Sequence, residues 1–328
     1  MRDLCFGGGK CAVILLLLGA GAASSQAAST GSGQEFPNKS LRIVTAEPGG
    51  GSDFAARLMA QGLTGLLGQP VIVENRTGSG TVAPEIVLKA PADGYTLFVA
   101  GSAFWVGPLV RKATYDPAKD FATITMLVNF PNILVVHPSS PVNSVKELIA
   151  LARAKPGELN YTSAGVGSSS HLAAELLKNM AAVNFVHIAT KGGGPAIIAL
   201  VGGQVQLSFA TPASVASLIK SGKLRAVAVT SAKPSGLAPG LPTVAETVPG
   251  YQIGGATGMF APRATPAAIV GRLNREAVRL LSQSDVKEKF FNVGSEAVGN
   301  SPQEFAAMIK SEMTRLSKVI KEAGIRAE

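Results

Sequence analysis

Leu41-Arg42-Ile43-Val44-Thr45-Ala46-Glu47-Pro48-Gly49-Gly50-Gly51-Ser52-Asp53-Phe54 reads as a strand, a glycine turn and the start of a helix. The same order recurs in Thr162-Ser163-Ala164-Gly165-Val166-Gly167-Ser168-Ser169-Ser170-His171, which runs into Leu172-Ala173-Ala174-Glu175-Leu176-Leu177. In each, Ser or Asp stands where a helix cap belongs; Ser52 and Asp53 compete for that place in the first. The opening turn of a helix leaves backbone N–H groups unpaired, and the macrodipole adds partial positive charge there. One such turn can seat an anion. Two, in different halves of the chain, point to a cleft that grips an anion from both sides.

Working outward, short apolar runs alternate with helical patterns. After the helix through Leu58 and Leu66, ended by Gly68, come strand Val71 to Val73, helix Val82 to Lys89, turn Pro91 to Gly94 and strand Tyr95 to Val99. This alternation predicts an α/β fold with a parallel sheet. Thr123 to His137 then forms a long extended stretch, broken at Asn129-Phe130-Pro131-Asn132. The capping-box pattern Ser144-Val145-Lys146-Glu147 opens a helix to about Lys155, and alternation resumes to Val229. Tyr251 to Ala261 is a second extended stretch. The rest reads as helical, with a second capping box at Ser301-Pro302-Gln303-Glu304. The predicted organisation is two α/β lobes joined by two extended crossovers. Lobe one is 36–128 plus 256–328, and lobe two is 129–255. Both glycine turns then lie at carboxyl ends of strands, where open α/β sheets bind ligands.

The chain has 328 residues, 30 of them Lys or Arg and 21 Asp or Glu. Residues 1–28 carry Arg2 and Lys10, a short apolar core from Ala12 to Leu18, and a small-residue end at Ser25-Gln26-Ala27. They read as a signal peptide cleaved near Ala27 or Ala28, with an exported, periplasmic product. The apolar core is shorter than the ~20 residues of a spanning helix. Cys5 and Cys11 both fall in this leader, so disulfides, thiolate metal sites and cysteine nucleophiles are excluded after cleavage. Cleavage leaves 28 basic and 20 acidic residues, a net of +8. No basic block of five or more occurs, and aromatics do not interleave with Lys or Arg. That argues against nucleic acid as a partner.

The first turn is no P-loop, because no Gly-Lys-Ser/Thr follows Gly51, and neither turn spells Gly-x-Gly-x-x-Gly. Asp53 reads as structural, since a bare carboxylate aimed at a bound anion would repel it. His171 beside three serines invites a hydrolase reading. The chain lacks a Gly-x-Ser-x-Gly elbow, and a histidine that close in sequence does not reach the serine as a base. His171 is read as lining the pocket. His137 and His187 have no ligand-spaced partners, so no metal site is expected. Phe104 and Trp105 either line the cleft or fill a core. Lys191, before Gly192-Gly193-Gly194, either pairs with an anion or is solvated.

At this point the chain resembles the Bug-type extracytoplasmic solute receptors, the substrate-binding proteins of tripartite tricarboxylate transporters. The matching stretches include Pro48-Gly-Gly-Gly-Ser-Asp53, Leu67-Gly-Gln-Pro-Val-Ile-Val-Glu-Asn-Arg76, Ala92-Asp-Gly-Tyr-Thr-Leu97, Tyr115-Asp-Pro-Ala-Lys-Asp-Phe121, Gly165 to Leu176 and Leu241-Pro-Thr-Val-Ala-Glu246. The resemblance implies a type II periplasmic-binding-protein fold that closes on a small carboxylate. It also implies membrane transporter subunits as partners, no cofactor, no metal and no catalysis. The expected ligand-binding residues are Pro48, Gly49, Gly50, Gly51, Ser52 and Asp53 in the first turn. Thr162, Ala164, Gly165, Gly167, Ser168 and Ser169 belong to the second, and Ser102, Thr190 and Thr211 complete the set. Glu47, Thr190 and Ala210 depart from the commoner family pattern around the variable part of the pocket. The expected protein is a monomeric periplasmic solute receptor. A periplasmic sensor docking on a signalling receptor is the alternative, and an exported serine hydrolase the third reading.

Overall fold

Apolar alternation builds the first strand. β1 (Leu41–Thr45) buries Leu41, Ile43 and Val44, while Arg42 turns aside to Thr96 and Glu74. The computed structural model describes residues 36–46, 48–76, 82–190, 192–322, 324 and 325. The leader over 1–28 with its cleavage point, Glu47 and Lys191 therefore lie outside the described residues.

β1 runs into α1 (Gly51–Leu67), which buries Ala55, Ala56, Met59 and Leu63 at helical spacing and ends at Gly68. β2 (Val71–Asn75), α2 (Val82–Leu88), β3 (Thr96–Gly101) and α3 (Ala103–Val110) follow. The helix α3 is one the sequence pattern did not mark, because Gly107 and Pro108 interrupt an almost wholly apolar segment. β4 (Phe121–Pro131) and β5 (Ile133–Val136) divide the first extended stretch at Asn132. Next come α4 (Val145–Ala154), β6 (Asn160–Ser163), α5 (Ser169–Ala181), β7 (Val186–Ala189), α6 (Gly193–Val201), β8 (Leu207–Ala210), α7 (Pro212–Lys220) and β9 (Arg225–Val229). β10 (Gly254–Pro262) is the second extended stretch, followed by α8 (Ala267–Leu281), α9 (Ser284–Asn292), β11 (Glu296–Ala297) and α10 (Pro302–Glu322).

The strands form two sheets, β11-β4-β10-β3-β1-β2 and β7-β6-β8-β5-β9. Both are mixed, which corrects the parallel expectation. β10 is antiparallel to β3 and β4, and β5 is antiparallel to β8 and β9. The reason is geometric. A strand entering from the other lobe must start at the edge where the ordinary strands end, so it runs against them. Register confirms this edge: Gly254 pairs with Pro131 and Thr257 with Gly101, while Ile133 pairs with both Ala210 and Val229. The carboxyl ends of β1, β3, β6 and β8, with the turns after them, therefore meet at the crossovers.

Three apolar layers hold the two lobes. Ile43, Met59, Leu63, Leu97 and Leu273 form one outer core, and Ile133, Val135, Leu200 and Val215 the other. The middle core is continuous across both sheets, from Phe98 and Phe260 through Phe305, Leu316 and Ile320 of α10 to Leu172, Tyr161 and Phe209. Phe104 and Trp105 belong to it and do not line a cleft. Trp105 is fully buried, donates from Nε1 to Glu312 Oε2 at 2.7 Å and meets Phe305 edge-on. Burial of one such ring contributes on the order of 2–3 kcal/mol.

Candidate functional site

The first turn leaves a pinned strand. Thr45 is buried and its Oγ1 donates to the Val99 carbonyl at 2.8 Å. The helix cap is Gly50, with no side-chain capping bond, so Ser52 and Asp53 do not hold that place. They sit inside the first turn of α1. The Asp53 carboxylate points back into the turn, accepting from Gly49 N–H at 2.9 Å, Asn75 Nδ2 at 2.8 Å and Arg57 Nε at 3.1 Å. Burial pushes its pKa up, but those hydrogen bonds and the Arg57 charge outweigh burial and hold it below the ordinary value. Asp53 is thus ionised and neutralised locally, which leaves the exposed Gly49, Gly50 and Gly51 as the outward face of the turn. Ser52 Oγ lies beside Gly101, next to Ser102, whose N–H donates to the Ala256 carbonyl at 2.8 Å.

The second turn is braced by its own side chains. Ser168 caps α5 by accepting from His171 N–H at 3.3 Å, and it donates to the Gly165 carbonyl at 2.7 Å. Ser170 Oγ accepts from Ala164 N–H at 3.0 Å, and Thr190 Oγ1 donates to the Ser163 carbonyl at 2.7 Å. Gly167 has φ +79°, and a Cβ there would lie 2.9 Å from Val110 Cγ2 of α3. That contact brings the turn against the first lobe, at a backbone conformation that glycine alone takes without strain. Of the three serines, Ser169 is left to face outward from the turn, with Oγ 3.5 Å from Asn132 Oδ1.

His171 does not line a pocket. It is buried, and its Nδ1 accepts from Gly167 N–H at 3.1 Å. Its ring stacks on His187 at 4.2 Å, and the His187 ring stacks on Tyr161 at 4.7 Å. Burial chiefly, with the neighbouring His187 and Lys178, lowers the His171 pKa to about 4 against the opposing pull of Glu175. Burial also lowers that of His187. Both rings are neutral near pH 7, so Nδ1 of His171 is free to accept. Tyr161 donates to Glu175 Oε1 at 2.6 Å, and Lys178 Nζ reaches the same oxygen at 2.8 Å. His187 Nε2 pairs with Ser163 Oγ at 2.7 Å, and Ser163 is fully buried. Among the described residues, no group of three or more His, Cys, Asp or Glu could hold a metal ion.

Between the lobes lies a cavity of about 370 Å³. Gly49, Gly50, Gly51 and Phe54 form one side, and Thr211 and Ala213 face them from the start of α7. Val128, Phe130 and Thr257 come from the crossover strands, and Phe290 with Val293, Gly294 and Ser295 from the end of α9. The cavity thus joins the first turn to Thr211, while Ser102, Thr162, Thr190 and the second turn stand outside its walls. Its aromatic residues were not singled out from sequence. Phe54 and Phe290 sit on helix faces indistinguishable from core positions until the lobes are assembled. The sequence marks Asn132 only as part of a break between strands.

The family profile described as the tripartite tricarboxylate transporter family receptor matches residues 55–325. Protein BugT of Bordetella pertussis (strain Tohama I) is 34% identical over 321 residues, covering 95% of this chain and 98% of its own. The R. palustris protein Rpa4515, solved with adipate, is 37% identical with a TM-score of 0.78, covering 89% of this chain and 99% of that one. MatC from Rhodopseudomonas palustris, solved with bound malate, is 31% identical with a TM-score of 0.74, over 87% and 100% of the two chains.

Proposed function

The chain belongs to the tripartite tricarboxylate transporter receptor family, and from that premise we propose that it captures a small carboxylate between its lobes in the periplasm and delivers it to membrane transporter subunits. The observation that carries this reading is that each lobe opens a helix with a glycine turn after a strand, β1 into α1 and β6 into α5. Asp53 is neutralised inside the first turn by Arg57 and the Gly49 N–H, so no bare carboxylate repels an anion at the N–H groups of Gly50 and Gly51. The second turn is held open by Ser168, Ser170 and His171. Both arrangements favour an anion at the helix N-termini. The two relatives solved with adipate and with malate support a carboxylate as the ligand class.

In this proposal the first turn contributes Pro48 to Asp53, with Asp53 acting as the anchor of the turn. The second contributes Thr162, Ala164, Gly165, Gly167, Ser168 and Ser169. Ser102, Thr190 and Thr211 shape the remainder. The lobes divide at 128/129 and 255/256, and capture involves no bond making. Thermal-shift screening against a library of mono-, di- and tricarboxylates, followed by calorimetry on the hits, tests the reading. A ligand that prefers the folded state raises the midpoint. A library without one stabilising carboxylate would overturn it.

A further inference from the structure

Asn132 stands at the point where the chain passes from β4 to β5, and it is fully buried. Its backbone is clamped on both sides. Asn132 N–H donates to Thr230 Oγ1 at 2.7 Å, and Thr230 N–H donates to the Asn132 carbonyl at 2.9 Å. Thr230 in turn accepts from Ile253 N–H at 3.0 Å, next to the returning strand β10. The side chain is less well served. Among the described residues, Oδ1 has only the long 3.5 Å approach of Ser169 Oγ, and Nδ2 has no hydrogen-bond partner. A sealed amide donor without a partner costs stability, and buried polar groups are nearly always paired. An orphan of this kind at a helix opening calls for an acceptor that the bare chain does not supply.

The surroundings identify that acceptor. Strand alternation puts Asn132 on the same face as Leu134, the face covered by α5. Ser169 is the first residue of α5, so the orphaned Nδ2 lies beside the positive end of a 13-residue helix. No carboxylate side chain pairs with Nδ2 there, and the neighbouring hydroxyls of Ser168 and Ser170 are both used within the turn.

We propose that Asn132 is a ligand-binding residue of the second lobe, its Nδ2 donating to a ligand carboxylate oxygen at the N-terminus of α5 with Ser169 beside it. This rests on the reading of the protein as a carboxylate receptor and adds to it the side chain that selects the anion. Because Thr230 fixes the Asn132 backbone, the donor is preorganised at the crossover. An acceptor oxygen satisfies it, and a cationic ammonium group does not.

Asn132→Leu removes the donor with little change in shape, and Asn132→Ala is the second variant should Leu overpack the site. Wild type and variants are titrated calorimetrically with adipate, malate and acetate, and their ligand-free thermal midpoints are compared. Losing a hydrogen bond to a charged group predicts about 10- to 100-fold weaker binding. Because the lost donor was unpaired, the ligand-free midpoint should stay level or rise. Wild-type affinity in the variants would overturn the assignment of Asn132 and leave the receptor reading intact. A lower ligand-free midpoint in both variants, with every hydrophobic replacement equally harmful, would mean that Nδ2 is held by a structural water, and would also overturn it. If the wild type binds none of the three, the titration uses the carboxylate that the thermal-shift library selects, and a library that selects none makes the receptor reading fail separately. A raised midpoint in Asn132→Leu then still supports a donor reserved for a ligand, and a lowered one removes it.

Discussion

Acidification should loosen the second glycine turn through His171. The ring is buried, stacked on His187 and faces Lys178 and Glu175, and its pKa is about 4 in the folded chain against 6.5 for a free histidine. The folded value is depressed, so the unfolded chain takes the proton first. Stability that depends on a neutral His171 is complete above about pH 6.5 and is lost as pH falls towards about 4. The linkage relation gives a loss of roughly 2 kcal/mol at pH 5 and roughly 3 kcal/mol at pH 4. For a chain of this size, 2 kcal/mol is a fall in midpoint of about 4 °C. The local effect is larger than the global one. A protonated Nδ1 is a donor, so it cannot accept from Gly167 N–H, and the turn loses its inner support. Urea unfolding at pH 7 and pH 5 measures the loss, with His171→Leu as the comparison. His187 contributes with the same sign in both proteins. The variant should therefore show a visibly smaller fall between the two pH values. Equal falls in the two proteins, within about 0.5 kcal/mol, would refute the reasoning.

Three further outcomes are expected. Asp53→Ala strips three donors of their shared acceptor and should cost about 2 kcal/mol in urea unfolding; an unchanged midpoint would mean the carboxylate does not organise the turn. Gly167→Val combines a positive φ with a Cβ 2.9 Å from Val110, so calorimetry should show carboxylate binding abolished, and wild-type affinity would contradict the closeness of turn and α3. Small-angle scattering should show a smaller radius of gyration at saturating carboxylate, because only approaching lobes let one anion meet both helix N-termini; an unchanged radius would mean a rigid, preformed cleft.

Much of the fold was legible because its signals are local. The strand-turn-helix order around Pro48 and around Gly165 appears where the residues predict it, and Ser301 and Glu304 form a reciprocal capping box at 3.2 and 2.9 Å. What failed depended on partners distant in sequence. Glu147 matches the same box, yet its carboxylate takes Asn143 N–H at 2.7 Å, leaving Ser144 to cap α4 alone. The sense of β10 and β5 follows from which lobe the chain comes from, and strand periodicity carries no such information. His171 looked like a pocket residue because three serines precede it. Only the assembled sheet reveals that β7 brings His187 against its ring. Asn132 is an ordinary loop-type residue until Thr230, 98 positions later, clamps its backbone.

The crossover strands carry one mechanical consequence. β4 and β10 leave the first sheet paired to each other as far as Pro131 and Gly254, with register shifts at Thr257/Gly258 and Met259/Phe260. A Cβ on Gly254 would lie 2.6 Å from the Phe130 carbonyl oxygen, so the pair is as narrow as backbone allows. A two-stranded ladder twists readily about its own axis, but sliding one strand past the other breaks its bonds in a row. The connection behaves as a torsion bar, soft in one coordinate and stiff in the rest. In the proposed capture, ligand free energy acts on that one angle between the lobes. A docking partner that responds to occupancy needs to gauge only that angle, and a bulkier residue at Gly254 would force the two strands apart and weaken the bar without touching either glycine turn.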